Sequence, residues 1–205
     1  MSWLNLFILI PIVIVSMSAH ELAHGFIAYR MGDPTAKRAG RLTMNPIKHL
    51  DPMGTAMFFI TYIVSSGTAL FGWAKPIPVA PYYFRRRQAG MAIVGAAGPI
   101  TNFLIAIIVI LLVKYAFPDA TGRLAQILTL SFNVNVVLGV FNLLPIPPLD
   151  GSRVVGAFLP RGAYERWAEL DRYGMIFVFL VIILFRGSFS RLVGWVMDGL
   201  VSLFL

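Results

Sequence analysis

Apolar stretches separated by short polar segments govern what this chain can fold into. They cover residues 3–29, 52–73, 90–113, 124–144, 173–185 and 189–205, and most of the charge lies between them. A run of about 20 apolar residues spans the ~30 Å hydrocarbon core of a bilayer, and an unpaired backbone in lipid must be helical. The sequence therefore predicts an all-α polytopic membrane protein, a helix bundle of about four to six transmembrane segments. Hydrophobic residues make up 58% of the chain and charged residues 13%. That balance excludes a disordered chain, a nucleic-acid module and a water-soluble enzyme. The net charge of +8 is read as loop cations that fix topology rather than as a surface for an acidic partner. The chain has no cysteine, which removes disulfides, thiolate zinc sites and thiol nucleophiles.

No Lys or Arg precedes the first apolar stretch, and hydrophobicity resumes beyond Ala19. The segment reads as a retained helix, not a cleaved signal peptide. The polar stretch 30–51 is punctuated by Gly32-Asp33-Pro34 and Asn45-Pro46, with a short strand expected over 39–44. The second stretch is interrupted by Ser65-Ser66-Gly67-Thr68, which suits a re-entrant segment. Prolines 76, 78 and 81 force their predecessors out of the helical region, so 75–81 is a short extended element. The last stretch carries Arg191 and Asp198 and reads as a short span or an interfacial helix. The whole is read as one membrane-embedded domain over 1–205, with a core of about 1–158 and C-terminal helices of about 165–205.

His20-Glu21-Leu22-Ala23-His24 lies inside the first apolar helix. Histidines at i and i+4 share a helical face, as two ligands of one tetrahedral zinc require. The intervening glutamate can reach a water that such a metal activates. The pentapeptide is a weak signal in a soluble helix. In an apolar one, a carboxylate and two imidazoles cost several kcal/mol unless paired or bound to something. A catalytic zinc needs a third protein ligand, for which His49, Asp150 and a few other carboxylates are candidates. Asp150 is the more suggestive. It follows three prolines in Asn142-Leu143-Leu144-Pro145-Ile146-Pro147-Pro148-Leu149-Asp150-Gly151, and irregular backbone at membrane depth persists only where protein or water lines it. The bland reading is an aspartate capping a short helix over 152–158.

The pentapeptide together with the Asn-Leu-Leu-Pro…Leu-Asp-Gly segment resembles the site-2 protease family of intramembrane zinc metalloproteases. Gly72-Trp73-Ala74-Lys75-Pro76-Ile77-Pro78-Val79 and Ala97-Gly98-Pro99-Ile100-Thr101-Asn102 resemble segments of its short prokaryotic branch. The resemblance covers about 17–151. It implies His20, His24 and Asp150 as ligands of one zinc per chain, Glu21 as general base, and Asn142 and Asn102 as polar groups near the substrate. It also implies membrane-anchored protein substrates, such as anti-sigma factors or remnant signal peptides. One departure is Ala80, where relatives often carry Asn, which puts any side-chain contact at that position in doubt. On the residues alone, Asn102 reads equally as an amide bonding between packed helices, and Asn133 and Asn135 as packing groups.

Topology is an independent test. For one metal to touch residues 20, 24 and 150, the first and fourth stretches must exit on the same side. That holds if 52–73 enters and returns on one side. Arg30, Lys37, Arg38, Arg41, Lys48, Lys75, Arg85, Arg86, Arg87, Arg153, Arg161, Arg166 and Arg172 then share a side, and the other keeps Lys114, Arg123, Arg186 and Arg191. The crowded side is cytoplasmic by the positive-inside rule. This places a multi-pass protein in the cell (plasma or inner) membrane, with the amino terminus outside and the active site in the cytoplasmic half. Lipid and a membrane-anchored substrate are the expected partners, and nucleic acid is not. Residues 75–81 are a candidate edge for pairing an unwound substrate, or else a rigid linker. The rival functions are a metal transporter and a non-proteolytic scaffold. Ionisable residues gathered at one spot, without internal repeats, speak against the first, and an intact His-Glu-x-x-His against the second.

Overall fold

The computed structural model describes residues 3–64 and 72–205. The described chain forms helices α1 (Trp3–Arg30), α2 (Thr35–Arg38), α3 (Pro52–Val64), α4 (Arg87–Tyr115), α5 (Gly122–Asn142), α6 (Asp150–Gly156), α7 (Arg161–Glu169), α8 (Gly174–Leu184) and α9 (Arg186–Phe204). Three of them, α1, α4 and α5, are long and apolar enough to cross a membrane. The expected all-α membrane architecture is present.

Helix α4 is the hub: α1, α5 and α6 all pack on it. Its sequence explains why. Gly95, Gly98, Asn102 and Ala106 recur at helical spacing, a stripe of small residues that lets neighbouring backbones approach. A methyl built on Gly95 would lie 2.9 Å from the Arg153 Cβ of α6. From the other side, Gly139 of α5 receives the Phe103 ring of α4, which a methyl there would meet at 2.9 Å. Further along, Ala106, Val136, Val140 and Val193 form a buried apolar cluster joining α4, α5 and α9.

Within the described residues helix α3 has 13 residues, about 20 Å of helix against ~30 Å of hydrocarbon. The ends of the second apolar stretch meet: Leu50 and Ala74 form an antiparallel bridge, and Lys75 N donates to His49 O at 2.8 Å. Gly54 and Trp73 touch closely, so a methyl on Gly54 would collide with the Trp73 carbonyl. The chain thus returns to where it left, as a re-entrant segment does. The Ser65-Ser66-Gly67-Thr68 interruption lies outside the described residues.

The strand expected over 39–44 does not form. Ala39 ends α2, and Gly40 takes a positive φ of 64°, a turn conformation open to glycine at low cost. Arg41 then buries its side chain, and its Nη2 donates to Lys75 O at 2.7 Å. Of the element expected over 75–81, residues 75–80 are free of helix and Ala80 is extended, whereas Pro81 opens a short 3-10 turn over Pro81–Tyr83. Residues 72–80 form a strap, fastened at Lys75 to the polar segment and at Ala80 N to Asp33 Oδ2, 2.6 Å away. Asp33 is fully buried, with its other oxygen accepting from Thr35 N at 2.9 Å and from the Thr35 hydroxyl. The Ala80 contact runs through the backbone and asks nothing of the side chain.

A candidate zinc centre

The first-helix pair is placed by local periodicity. His20 and His24 sit one turn apart on α1, each 7% exposed. Their Nε2 atoms are 3.0 Å apart. Asp150 Oδ2 lies 3.1 Å from His20 Nε2 and 3.3 Å from His24 Nε2. Among the described residues these three are the group whose ligand atoms converge on one point. Asp150 is the first residue of α6, and its carboxylate turns to the histidines. Gly151 permits this, because a methyl there would run into the Leu143 and Leu144 carbonyls at the end of α5.

His49 is not part of the cluster. It is 2% exposed, and its Nε2 faces the Thr43 carbonyl at 2.7 Å. It is a buried residue of the polar segment.

Proton bookkeeping tests whether the cluster fits a metal. His20 Nδ1 is 2.6 Å from Asn102 Oδ1, and His24 Nδ1 is 2.7 Å from the Val94 carbonyl. Both oxygens can only accept, so both Nδ1 atoms carry hydrogen and both Nε2 atoms keep their lone pairs. Two nitrogen lone pairs and a carboxylate oxygen facing one another at these distances repel unless a positive centre lies among them. Zinc with bonds of ~2.0–2.1 Å in tetrahedral geometry would hold its ligand atoms ~3.3 Å apart. The donor set and its spacing fit zinc.

Helix α4 closes over the pair at Gly98, where a methyl would lie 2.5 Å from both Nε2 atoms. The residue has to be glycine for metal and helix to share the space. Its place in Ala97-Gly98-Pro99 was the signal in the sequence, though not its reason.

Glu21 shares the next face of α1 with Gly25. The strap lies on that face: Ile77 N donates to Glu21 Oε2 at 2.8 Å, and the Ile77 side chain sits where a Cβ on Gly25 would be. Of the two readings of this segment, a pairing edge or a rigid linker, these contacts favour the linker. Prolines 76 and 78 do leave the donors of Lys75 and Ile77 on one side, but these are taken by His49 O and Glu21. That side faces the protein.

A cleft of about 350 Å³ opens over the cluster, lined by His20, Glu21, His24 and Asp150 with Ile77, Asn142 and Arg153 among its walls. Asn142 borders it, with Nδ2 donating to Leu138 O at 3.0 Å. Asn102 does not. It is fully buried behind His20, and its Nδ2 donates to Asn135 Oδ1 at 3.0 Å. Both ends of its amide are engaged inside the helix packing, away from the cleft wall where the resemblance implied a polar group near the substrate. Sequence reasoning passed over Asp33, read as turn punctuation, and Asn135, read as packing.

The sequence profile of peptidase family M50 matches residues 118–185. "Putative zinc metalloprotease YwhC" of Bacillus subtilis is 42% identical over 85% of this chain and 78% of its own length. "Putative zinc metalloprotease Rip2" of Mycolicibacterium smegmatis is 30% identical over 97% of this chain and 76% of its own. A zinc metalloprotease of Methanocaldococcus jannaschii is 31% identical over 78% of this chain and 35% of its own length. No solved structure matches. A membrane helix bundle, a cluster shaped for zinc and relatives of this likeness lead to one conclusion: the chain belongs to the site-2 protease family, peptidase family M50, and is a zinc metalloprotease.

Proposed function

We propose that this metalloprotease hydrolyses peptide bonds in or beside the bilayer, in membrane-anchored protein substrates, with His20, His24 and Asp150 holding zinc and Glu21 as general base. The observation that carries this reading is the placement of His20, Glu21 and His24 on a membrane-length helix, with Asp150 of α6 brought against the two histidines, beneath a cleft walled by Ile77 and Asn142. Zinc, when bound, supplies Lewis acidity toward the scissile carbonyl and the attacking water. Glu21 takes the proton from that water and delivers it to the leaving amine. Its hydrogen bond from Ile77 N fixes one carboxylate oxygen and leaves the other for the proton. Asn142 meets the substrate from the cleft wall. A helical substrate hides its carbonyls in i to i−4 bonds and must unwind locally to be cut.

The crowded-cation side is the cytoplasmic one, which puts the amino terminus outside and the zinc in the cytoplasmic half. A topology reporter fused after Arg87 should score cytoplasmic; an extracytoplasmic score reverses the orientation. The function itself is tested by cleavage of a panel of single-span substrates in detergent, wild type against Glu21→Gln. The variant should keep its zinc and lose activity by on the order of 10²–10⁴-fold. Equal cleavage by both would remove Glu21 from the chemistry, and zinc flux in proteoliposomes without cleavage would point to transport.

A further inference from the structure

Two buried amides carry an inference about how His20 is prepared for zinc. Asn102 of α4 is 0% exposed and Asn135 of α5 is 1% exposed. The chain of bonds through them can be read in only one direction. It starts at the Ser131 carbonyl, which can only accept. The Asn135 side-chain atom 2.8 Å from it is therefore the amide nitrogen, whose second hydrogen goes to Ser16 Oγ at 2.9 Å. The Asn135 oxygen must then face Asn102, so Asn102 presents its nitrogen at 3.0 Å. That turns the Asn102 oxygen toward His20 Nδ1, 2.6 Å away. An oxygen there accepts, so the proton sits on Nδ1 and Nε2 keeps its lone pair.

We propose that Asn135 is a positioning residue that sets the tautomer of His20 through Asn102, and so sets its capacity to bind zinc. The inference rests on His20 being a zinc ligand. His24 receives the same instruction directly, from the Val94 carbonyl. His20 receives it across two helices. Without the Asn135 oxygen, the Asn102 amide is free to turn over and present its NH₂ to the imidazole. The proton would then move to Nε2 and close it to metal. Partners behind a ligating histidine are commonly worth 10–100-fold in metal affinity.

The test is zinc affinity of the full chain in detergent, stripped with chelator and titrated back against a chromophoric competitor, with cobalt(II) absorption as a second readout. Asn135→Leu keeps the branched four-atom side chain and removes the bonds, and should weaken zinc on the order of 10–100-fold and change the cobalt spectrum. The decisive comparison is made in an Asn102→Asp background. A carboxylate has no wrong way round, and its second oxygen would face the Asn135 oxygen acceptor to acceptor, so adding Asn135→Leu there should not weaken zinc binding. Equal weakening in both backgrounds, or a drop in thermal stability with zinc affinity intact, assigns Asn135 to packing and overturns the proposal. If Asn135→Leu does not fold, Asn135→Ala is read by the same criteria. His24→Ala separates the two layers. If it leaves zinc binding intact, the ligand assignment fails; if it abolishes zinc while Asn135→Leu changes nothing, the relay alone fails.

Discussion

Helices α4 and α5 pack against each other along their length, yet their two halves are built on different terms. In the half next to α9, Ala106, Val136 and Val140 close on Val193 with no polar group in the cluster. In the half next to the cleft, the inward positions are Gly95, Gly98, Asn102 and Asn135. Only one turn separates Asn102 from Ala106 and one residue separates Asn135 from Val136. Both halves are close-packed. The apolar half is satisfied by shape alone, whereas the polar half must also satisfy each donor and acceptor. The difference teaches that the site is not a hole in the bundle. It is a part of the packing in which glycine makes room for a cation and amides replace methyl groups to hold the imidazoles.

The largest effect expected from breaking that arrangement is at Gly98. Gly98→Ala places a methyl 2.5 Å from both Nε2 atoms, in the space where a metal would lie. Zinc content by metal analysis and cleavage should both fall to background, while helicity by circular dichroism stays. A variant with full zinc would show that α4 yields there. Next comes the strap. Asp33→Asn turns one acceptor oxygen into a donor against Ala80 N or the Thr35 pair, loosening the segment that holds Glu21. kcat/KM should drop about tenfold with zinc retained, a loss of about 1.4 kcal/mol in transition-state stabilisation. Unchanged kinetics would reduce Asp33 to a turn residue. The smallest effect on chemistry is expected in the apolar half. Val136→Ala, at a fully buried position, should cost roughly 1–2 kcal/mol of stability through lost contacts and a small cavity, seen as a lower unfolding temperature. Zinc affinity and kcat should stay at wild type, and a change in either would mean that the two halves are coupled.

The strap and the zinc cluster differ in how far the sequence foretold them. Prolines 76 and 78 dictate extended backbone wherever they occur, so the shape of 75–80 was readable. Where its free donors point was not. That depended on Glu21, His49 and Asp33, residues 26 to 56 positions away in the chain, and the answer was inward. The pair His20 and His24 was readable because i, i+4 geometry is local to a helix. Asp150 could be ranked above His49 by its irregular, proline-bounded surroundings, but either could ligate by its chemistry. Packing of α6 on α4 through Gly95, and on the end of α5 through Gly151, brought the one to the cluster, while the Thr43 carbonyl holds the other.

What the sequence determined by itself was therefore short in range: the apolar spans, the proline-bounded extended segment, the two histidines and glutamate on adjoining helix faces, and the need for a third ligand from elsewhere. Tertiary structure decided what an amide or a glycine is for. Asn102 carries the same side chain whether it meets substrate, water or His20, and only the neighbours brought by α1 and α5 assign it. Hydrogen bonds are satisfied across helices, between residues as far apart as Ser16 and Asn135. Such pairings are fixed by packing, and no local pattern encodes them.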